Sequence, residues 1–161
     1  MPNLFAQKIT PFLWFDANAE EAARFYTTVF RNSRLGFITR YGDAGPAPKG
    51  TVMTVSFELE GVQFTALNGG PHARFNEAVS FVVACDTQAE IDEYWEKLTA
   101  GGGQPIQCGW LKDRFGLAWQ IVPANLFELL KDPDKSNRVM VEVMKMIKLD
   151  KAAMEAAAAG A

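Results

Sequence analysis

The chain carries nearly the same passage twice. Thr10-Pro-Phe-Leu-Trp-Phe-Asp16 precedes a segment holding Ala19, Glu20 and Phe25, and Ser80-Phe-Val-Val-Ala-Cys-Asp86 precedes one holding Ala89, Glu90 and Trp95. From Asp16 to Asp86, and again from Ala19 to Ala89, the step is 70 residues. A constant step of this size marks a duplicated supersecondary unit, and one such unit cannot bury its apolar face alone.

The pattern within each copy gives the elements. Residues 8–15 alternate, with Ile9, Leu13 and Phe15 on one face and Thr10, Phe12 and Trp14 on the other, the period of a strand. Asp16 is placed to cap a helix from about Ala19 to Phe30, with Ala22, Phe25, Tyr26 and Val29 as its apolar stripe. Leu35, Phe37 and Thr39 read as a second strand, and residues 42–50 as a glycine- and proline-rich loop. Met53, Val55, Phe57 and Leu59 line a third strand, which turns at Glu60-Gly61 into a fourth, from about Val62 to Leu67.

The second copy repeats this order. A strand at 78–85 leads, through a cap at Asp86-Thr87, into a helix with Ile91, Tyr94, Trp95 and Leu98 inward, and Gly101 to Gly103 end it. Pro105 to Trp110 reads as a strand, and a turn at 112–116 opens the last one, Leu117 to Val122. The short distance from helix end to turn implies a degenerate second strand. Aligning Gly116 with Gly61 matches Gln120 to Thr65. Beyond Pro123, a short helix is expected from Asn125 to Lys131 and a longer one from Lys135 to Leu149, carrying Val139, Met140, Val143, Met144 and Ile147. The alanine-rich end after Asp150 has helical propensity but little to bury and is expected to fray. The expected class is α+β, with two βαβββ modules and C-terminal helices. A single domain is expected, with module one at about 8–68, module two at about 77–123 and the tail at about 124–161.

At 161 residues, 48% apolar and 22% charged, the composition is that of a globular domain with a full core. No apolar run approaches the ~18 residues of a membrane span, so no membrane partner is expected. The net charge of −3, with both signs interspersed, argues against nucleic acid. Cys85 and Cys108 are too few for a disulfide framework, and the first residues show no basic segment leading into an apolar stretch; a cytoplasmic protein with reduced thiols is expected.

A duplicated strand–helix–strand–strand–strand module resembles the vicinal oxygen chelate superfamily of glyoxalase I, extradiol dioxygenases and bleomycin-resistance proteins. The resemblance is to its PhnB-like branch, which carries the label demethylubiquinone methyltransferase-like. It rests on Ile9 to Asp16 with Asn18 to Ala22, on Ala66-Leu-Asn-Gly-Gly-Pro71 and on Phe75-Asn-Glu-Ala-Val-Ser-Phe81. Tyr94 to Leu98, Cys108-Gly-Trp-Leu-Lys-Asp113, Phe115-Gly and Trp119 to Pro123 complete it. The resemblance implies two modules curling a mixed sheet around one cup, and a homodimer.

In metal-dependent members of that superfamily, His or Glu side chains from the first and last strands meet in the cup. The matching positions here are Thr10, Ser80 and Gln120, with Thr65 opposite Gln120. Hydroxyls and amides do not repay the dehydration of a divalent ion, so no metal and no cofactor are expected. The same groups beside Phe12 and Trp14 suit a small-molecule pocket of apolar walls with a few orienting polar groups. Asn68, His72 and Trp110 join that candidate ligand set. His72, the sole histidine, lies in a loop and reads first as surface, and Cys108 reads as an inert thiol, with metal-free acid–base or thiol chemistry at either as the alternative; Asp113 reads as a turn former, and Trp119 as a pocket wall or, equally, a residue packed under a helix. No catalytic residue is assigned. The leading reading is a protein that binds a small organic molecule in a metal-free cup. The rivals are a metal-dependent lyase, isomerase or dioxygenase drawing on Glu58, Glu77 or His72, and a dimerisation module with a filled cup. The methyltransferase label finds no glycine-rich turn to cradle an adenosyl cofactor.

Overall fold

The structure, a computed structural model, describes residues 7–161. The chain divides after Arg74 into two units, each built on the same strand order. The first comprises β1 (Phe12–Phe15), α1 (Ala19–Val29), β2 (Ser33–Arg40), β3 (Val52–Leu59) and β4 (Val62–Asn68), hydrogen-bonded in the order β1-β4-β3-β2. β1 is parallel to β4, and the other pairs are antiparallel. Parallel neighbours need a crossover, and α1 lies in that connection and packs on β2, β3 and β4. It buries the face bearing Leu13, Phe15, Val55, Phe57, Leu59, Phe64 and Ala66. Tyr26 from α1 stacks on Phe57, and Phe57 on Phe64, with ring centroids 6.0 and 5.3 Å apart. Such contacts add to the transfer energy of the rings. The β3–β4 hairpin turns at Glu60 and Gly61, both left-handed (φ 47° and 82°), the geometry that two-residue hairpins favour.

The second unit comprises β5 (Ser80–Cys85), α2 (Gln88–Thr99), β6 (Gln104–Pro105), β7 (Trp110–Lys112) and β8 (Ala118–Pro123), in the order β5-β8-β7-β6 with β5 parallel to β8. α3 (Leu126–Lys131), α4 (Pro133–Val143) and α5 (Lys151–Ala159) follow. α2 opens with a reciprocal cap: Thr87 Oγ1 accepts from Glu90 N, and Glu90 Oε2 accepts from Asp86 N. Ile91 and Leu98 are wholly buried, as are Leu111 and Ile121 of the sheet. Two mixed four-stranded sheets of βαβββ order plus C-terminal helices make the α+β class that the repeat predicts.

Several local expectations are corrected. The first strand begins at Phe12, not residue 8, because Pro11 has no N–H for the ladder; Ile9 is 85% exposed rather than inward. β2 carries a register shift between Leu35 and Ile38, so the simple alternation of Leu35, Phe37 and Thr39 fails. The cap of α1 is not Asp16: Asn68 Oδ1 accepts from Ala19 N at 2.8 Å, reaching the helix from β4. Phe25 is only half-buried, and Ala23 takes the inward position. Pro105 to Trp110 is not a strand. β6 has two residues, and Cys108 and Gly109 turn away in left-handed conformation (φ 63° and 80°).

The tail departs most. α4 begins at Pro133 behind an Asp132 cap and ends at Val143, and the alanine-rich end forms α5. Met154 is fully buried and Ala158 nearly so, in a cluster with Val122, Leu126, Val139, Val143 and Leu149. Alanines let the helix approach closely, so α5 buries its small face and one methionine. Asp150 caps its start, and Arg138 donates to the carbonyls of Ala157 and Ala158 at its end.

The turn into β8 is built on Asp113, 3% exposed. Its Oδ1 accepts from Phe115 N (2.8 Å) and Leu117 N (3.1 Å), and its Oδ2 from Trp119 Nε1 (2.9 Å). The Asx turn expected at this residue therefore also anchors a buried indole. Asp113→Ala leaves these donors without their acceptor and is expected to cost about 3 kcal/mol, read as a lowered urea midpoint at unchanged m-value. Met154→Ala is expected to cost about 2–4 kcal/mol in the same measurement, whereas a frayed C-terminus would register no change.

Candidate ligand site

In each unit, strand alternation puts one set of side chains on the face away from the helix. In the second unit these are Ser80, Val82, Trp110 and Gln120. Gln120 pairs in register with Val82 on one side and Trp110 on the other. Its Nε2 donates to Ser80 Oγ at 2.8 Å. One amide N–H is thus used; among the described residues no other bond to the Gln120 side chain is recorded, which leaves its carbonyl as an acceptor and Ser80 a hydroxyl proton to give. Val82 is 44% exposed, so the amide stands beside an accessible apolar surface. Nearby Lys112 is ion-paired to Glu77 at 2.6 Å, and its hydrogen bond holds the Glu77 carboxyl below the ordinary value.

In the first unit the corresponding face holds Phe12, Trp14, Thr54, Ser56 and Thr65. Thr65 is paired with Phe12 on one side and Ser56 on the other. Phe12 is 53% exposed, while Thr65 is nearly buried. Thr10 does not join them: it precedes β1, and its Oγ1 donates to the carbonyl of Gln7. Trp14 acts partly as a clamp, with Nε1 donating to the carbonyl of Gly70 at 2.9 Å. A Cβ on Gly69 would lie 2.3 Å from the indole, so only glycine fits beneath that ring.

Asn68 and His72 lie elsewhere in the first unit, in an open cleft of about 730 Å³ at the C-terminal ends of β1 and β4. Asp16, Asn18, Tyr41, Pro48 and Val52 also line it, none of them singled out by sequence reasoning for a site. Asn68 is committed to the fold. Besides capping α1, its Nδ2 donates to Val52 O (3.1 Å), and its own carbonyl accepts from Tyr41 OH (2.5 Å). The proline-rich loop after Tyr41 was the only signal that a wall stood there. His72 is exposed at the rim.

The residues present do not fit a catalytic divalent metal. Thr10, Thr65, Ser80 and Gln120 provide hydroxyls and an amide, two of them already bonded to each other, and no imidazole, carboxylate or thiolate. Among the described residues no group of three or more His, Cys, Asp or Glu side chains converges as a metal site. Burial pushes the Cys85 thiol up to about 12, with Glu90 and Asp86 adding to the shift, which leaves it protonated and inert. No helix among the described residues is long and apolar enough to cross a membrane.

Comparison with known proteins adds to this geometry. Residues 7–122 match the family model described as 3-demethylubiquinone-9 3-methyltransferase. The PhnB protein of Bacillus cereus, whose description carries the same methyltransferase name, is 37% identical over 73% of this chain and 100% of its own, with a TM-score of 0.66. A protein from Pseudomonas aeruginosa is 23% identical over 72% of this chain and 96% of its own, with a TM-score of 0.59. The fosfomycin resistance protein FosX of Mesorhizobium loti, 14% identical over 79% of this chain and 98% of its own, has a TM-score of 0.56 and shares the fold. No functionally curated protein matches the chain. With its duplicated βαβββ modules and a match across most of its length, the chain belongs to the PhnB-like family described as 3-demethylubiquinone-9 3-methyltransferase, within the vicinal oxygen chelate superfamily.

Proposed function

We propose that this protein binds a small, uncharged organic molecule on the helix-free sheet faces without a divalent metal. The observation that carries the reading is the Gln120–Ser80 pair beside exposed Val82 and half-buried Trp110. An amide held by a 2.8 Å bond and flanked by two strands is a preorganised donor and acceptor, and the apolar neighbours supply contact area. A ligand with both an oxygen acceptor and a hydroxyl, such as a phenol or a hydroxyketone, matches this set. Lys112 already has Glu77 as its counter-ion, so the face does not call for an anion. Phe12 and Thr65 offer the same pairing of apolar wall and neutral group in the first unit.

Methyl transfer in the sense of the family's description draws no support from the residues. The strand-to-helix turns at which an adenosyl cofactor would be cradled are Asp16-Ala17-Asn18 and Asp86-Thr87, which contain no glycine. A homodimer in the cytoplasm belongs to the same proposal, supported by the family resemblance and by exposed Phe127 and Val141, and sedimentation measures it directly.

The test is a melting-temperature screen of neutral phenols and hydroxyketones with EDTA present throughout. At least one compound is expected to stabilise the protein, and Gln120→Ala to weaken its binding about 5- to 10-fold, the worth of one neutral hydrogen bond. Stabilisation that appears only after Zn²⁺, Ni²⁺ or Mn²⁺ is added, or affinity indifferent to Gln120→Ala, would sink the reading.

A further inference from the structure

One ion pair borders the sheet face that carries Gln120. The ladders of β7, β8 and β5 set Lys112, Ala118 and Ser80 side by side in one row. Leu111 is wholly buried on the side of α2, so Trp110 and Lys112, its neighbours along β7, stand on the helix-free face. Lys112 and Ser80 are two strand spacings apart, about 10 Å. Lys112 nevertheless meets Glu77, which leads into β5 just ahead of Ser80, with Nζ 2.6 Å from Oε1. The pair therefore bridges β8 at Ala118, which carries only a methyl group and is fully buried. In the next row Val82 is 44% exposed. The bridge closes the Ser80 end of the face and leaves the Gln120 row open.

Gln120 reaches toward the closed end, where its Nε2 donates to Ser80 Oγ at 2.8 Å. A ligand on that amide lies one row, ~7 Å, from the Lys112 ammonium, within the ~8 Å screening length of physiological salt. An unopposed ammonium there favours a carboxylate ligand. Glu77 opposes it, and the hydrogen bond from Lys112 holds its carboxyl below the ordinary value, so it is ionised at neutral pH. Half exposed, the pair adds little to stability. A counter-charge that rejects a competing ligand acts on selectivity instead.

We propose that Glu77 is the specificity-determining residue of the Gln120 face: by occupying Lys112 it shuts out carboxylate ligands and reserves the face for uncharged ones. This role rests on the ligand reading of that face and adds that one replaceable carboxylate sets the excluded class. Loss of Glu77 alone turns the row into an anion site, and loss of both charges returns it to neutrality.

The experiment is calorimetric titration of the full chain at neutral pH with meta-hydroxyacetophenone and meta-hydroxybenzoate, which differ in a methyl ketone against a carboxylate. Glu77→Gln is expected to bind the benzoate at least about 5-fold more tightly than the parent does. The gain should vanish in Glu77→Gln/Lys112→Gln and shrink in about 0.5 M sodium chloride. Glu93→Gln, which removes the same charge from the Lys97 pair on α2, should bring no gain. Binding of the ketone to the parent without any gain for the benzoate in Glu77→Gln overturns this role alone. So does an equal gain in Glu93→Gln, or one that survives Lys112→Gln. A benzoate gain in a protein that binds no ketone upholds the role and removes the neutral-ligand reading, and silence from both probes in every variant removes both.

Discussion

In each unit the first strand lies parallel to the last, and this pairing constrains everything else in the fold. A parallel ladder cannot be closed by a tight turn, so the chain must cross over, and the crossover helix covers one sheet face. Apolar residues are therefore drawn to that face, from Leu13 and Phe57 in the first unit to Leu111 and Ile121 in the second. The opposite face is released from core duty. β4 and β8 each have a strand on both sides, so Thr65 and Gln120 are positioned by two ladders at once. A group fixed in this way is held more precisely than any loop residue, His72 included.

The two copies solve the same packing problem with different material. The first has strands of 8, 8 and 7 residues after its helix and completes its core with Tyr26, Phe57 and Phe64. The second has strands of only 2, 3 and 6 residues there. The missing sheet is replaced from the tail: Val122 and Leu126 pack with Val139, Val143, Leu149 and Met154. Gln88 ties α2 to the start of α5, donating to Leu149 O and accepting from Lys151 N. The C-terminal helices are thus part of the second unit's core. Substitutions there act on the sheet that carries Gln120.

What the sequence revealed followed the range of the interaction responsible. Alternation over Val55, Phe57 and Leu59 and the Glu60-Gly61 turn are local, and both were legible. The alignment of Gln120 with Thr65 was also legible, because a repeat transfers position without any knowledge of contacts. The cap on α1 was not: the choice of Asn68 over Asp16 spans 49 residues, and either carboxamide or carboxylate suits an N-cap. Helix α5 was misjudged because alanines bury area without producing an apolar period. The Cys108–Met144 contact joins residues 36 apart across a turn whose left-handed start no pattern announced.

Family membership and chemistry carry different weight here. The match over residues 7–122 establishes descent and architecture, and architecture does not select a reaction. A methyltransferase of the Rossmann-like kind holds an adenosyl cofactor by backbone at a glycine turn, and a metal-dependent member of this superfamily holds its ion by His or Glu side chains. This chain has Asp16-Ala17-Asn18 and Asp86-Thr87 at the first kind of place, and Thr65, Ser80 and Gln120 on the sheet faces. The hydroxyls and the amide on the sheet faces are uncharged hydrogen-bonding groups. The duplicated scaffold keeps one helix-free sheet face in each unit whatever residues occupy it, so the residues on that face can change without damage to the fold.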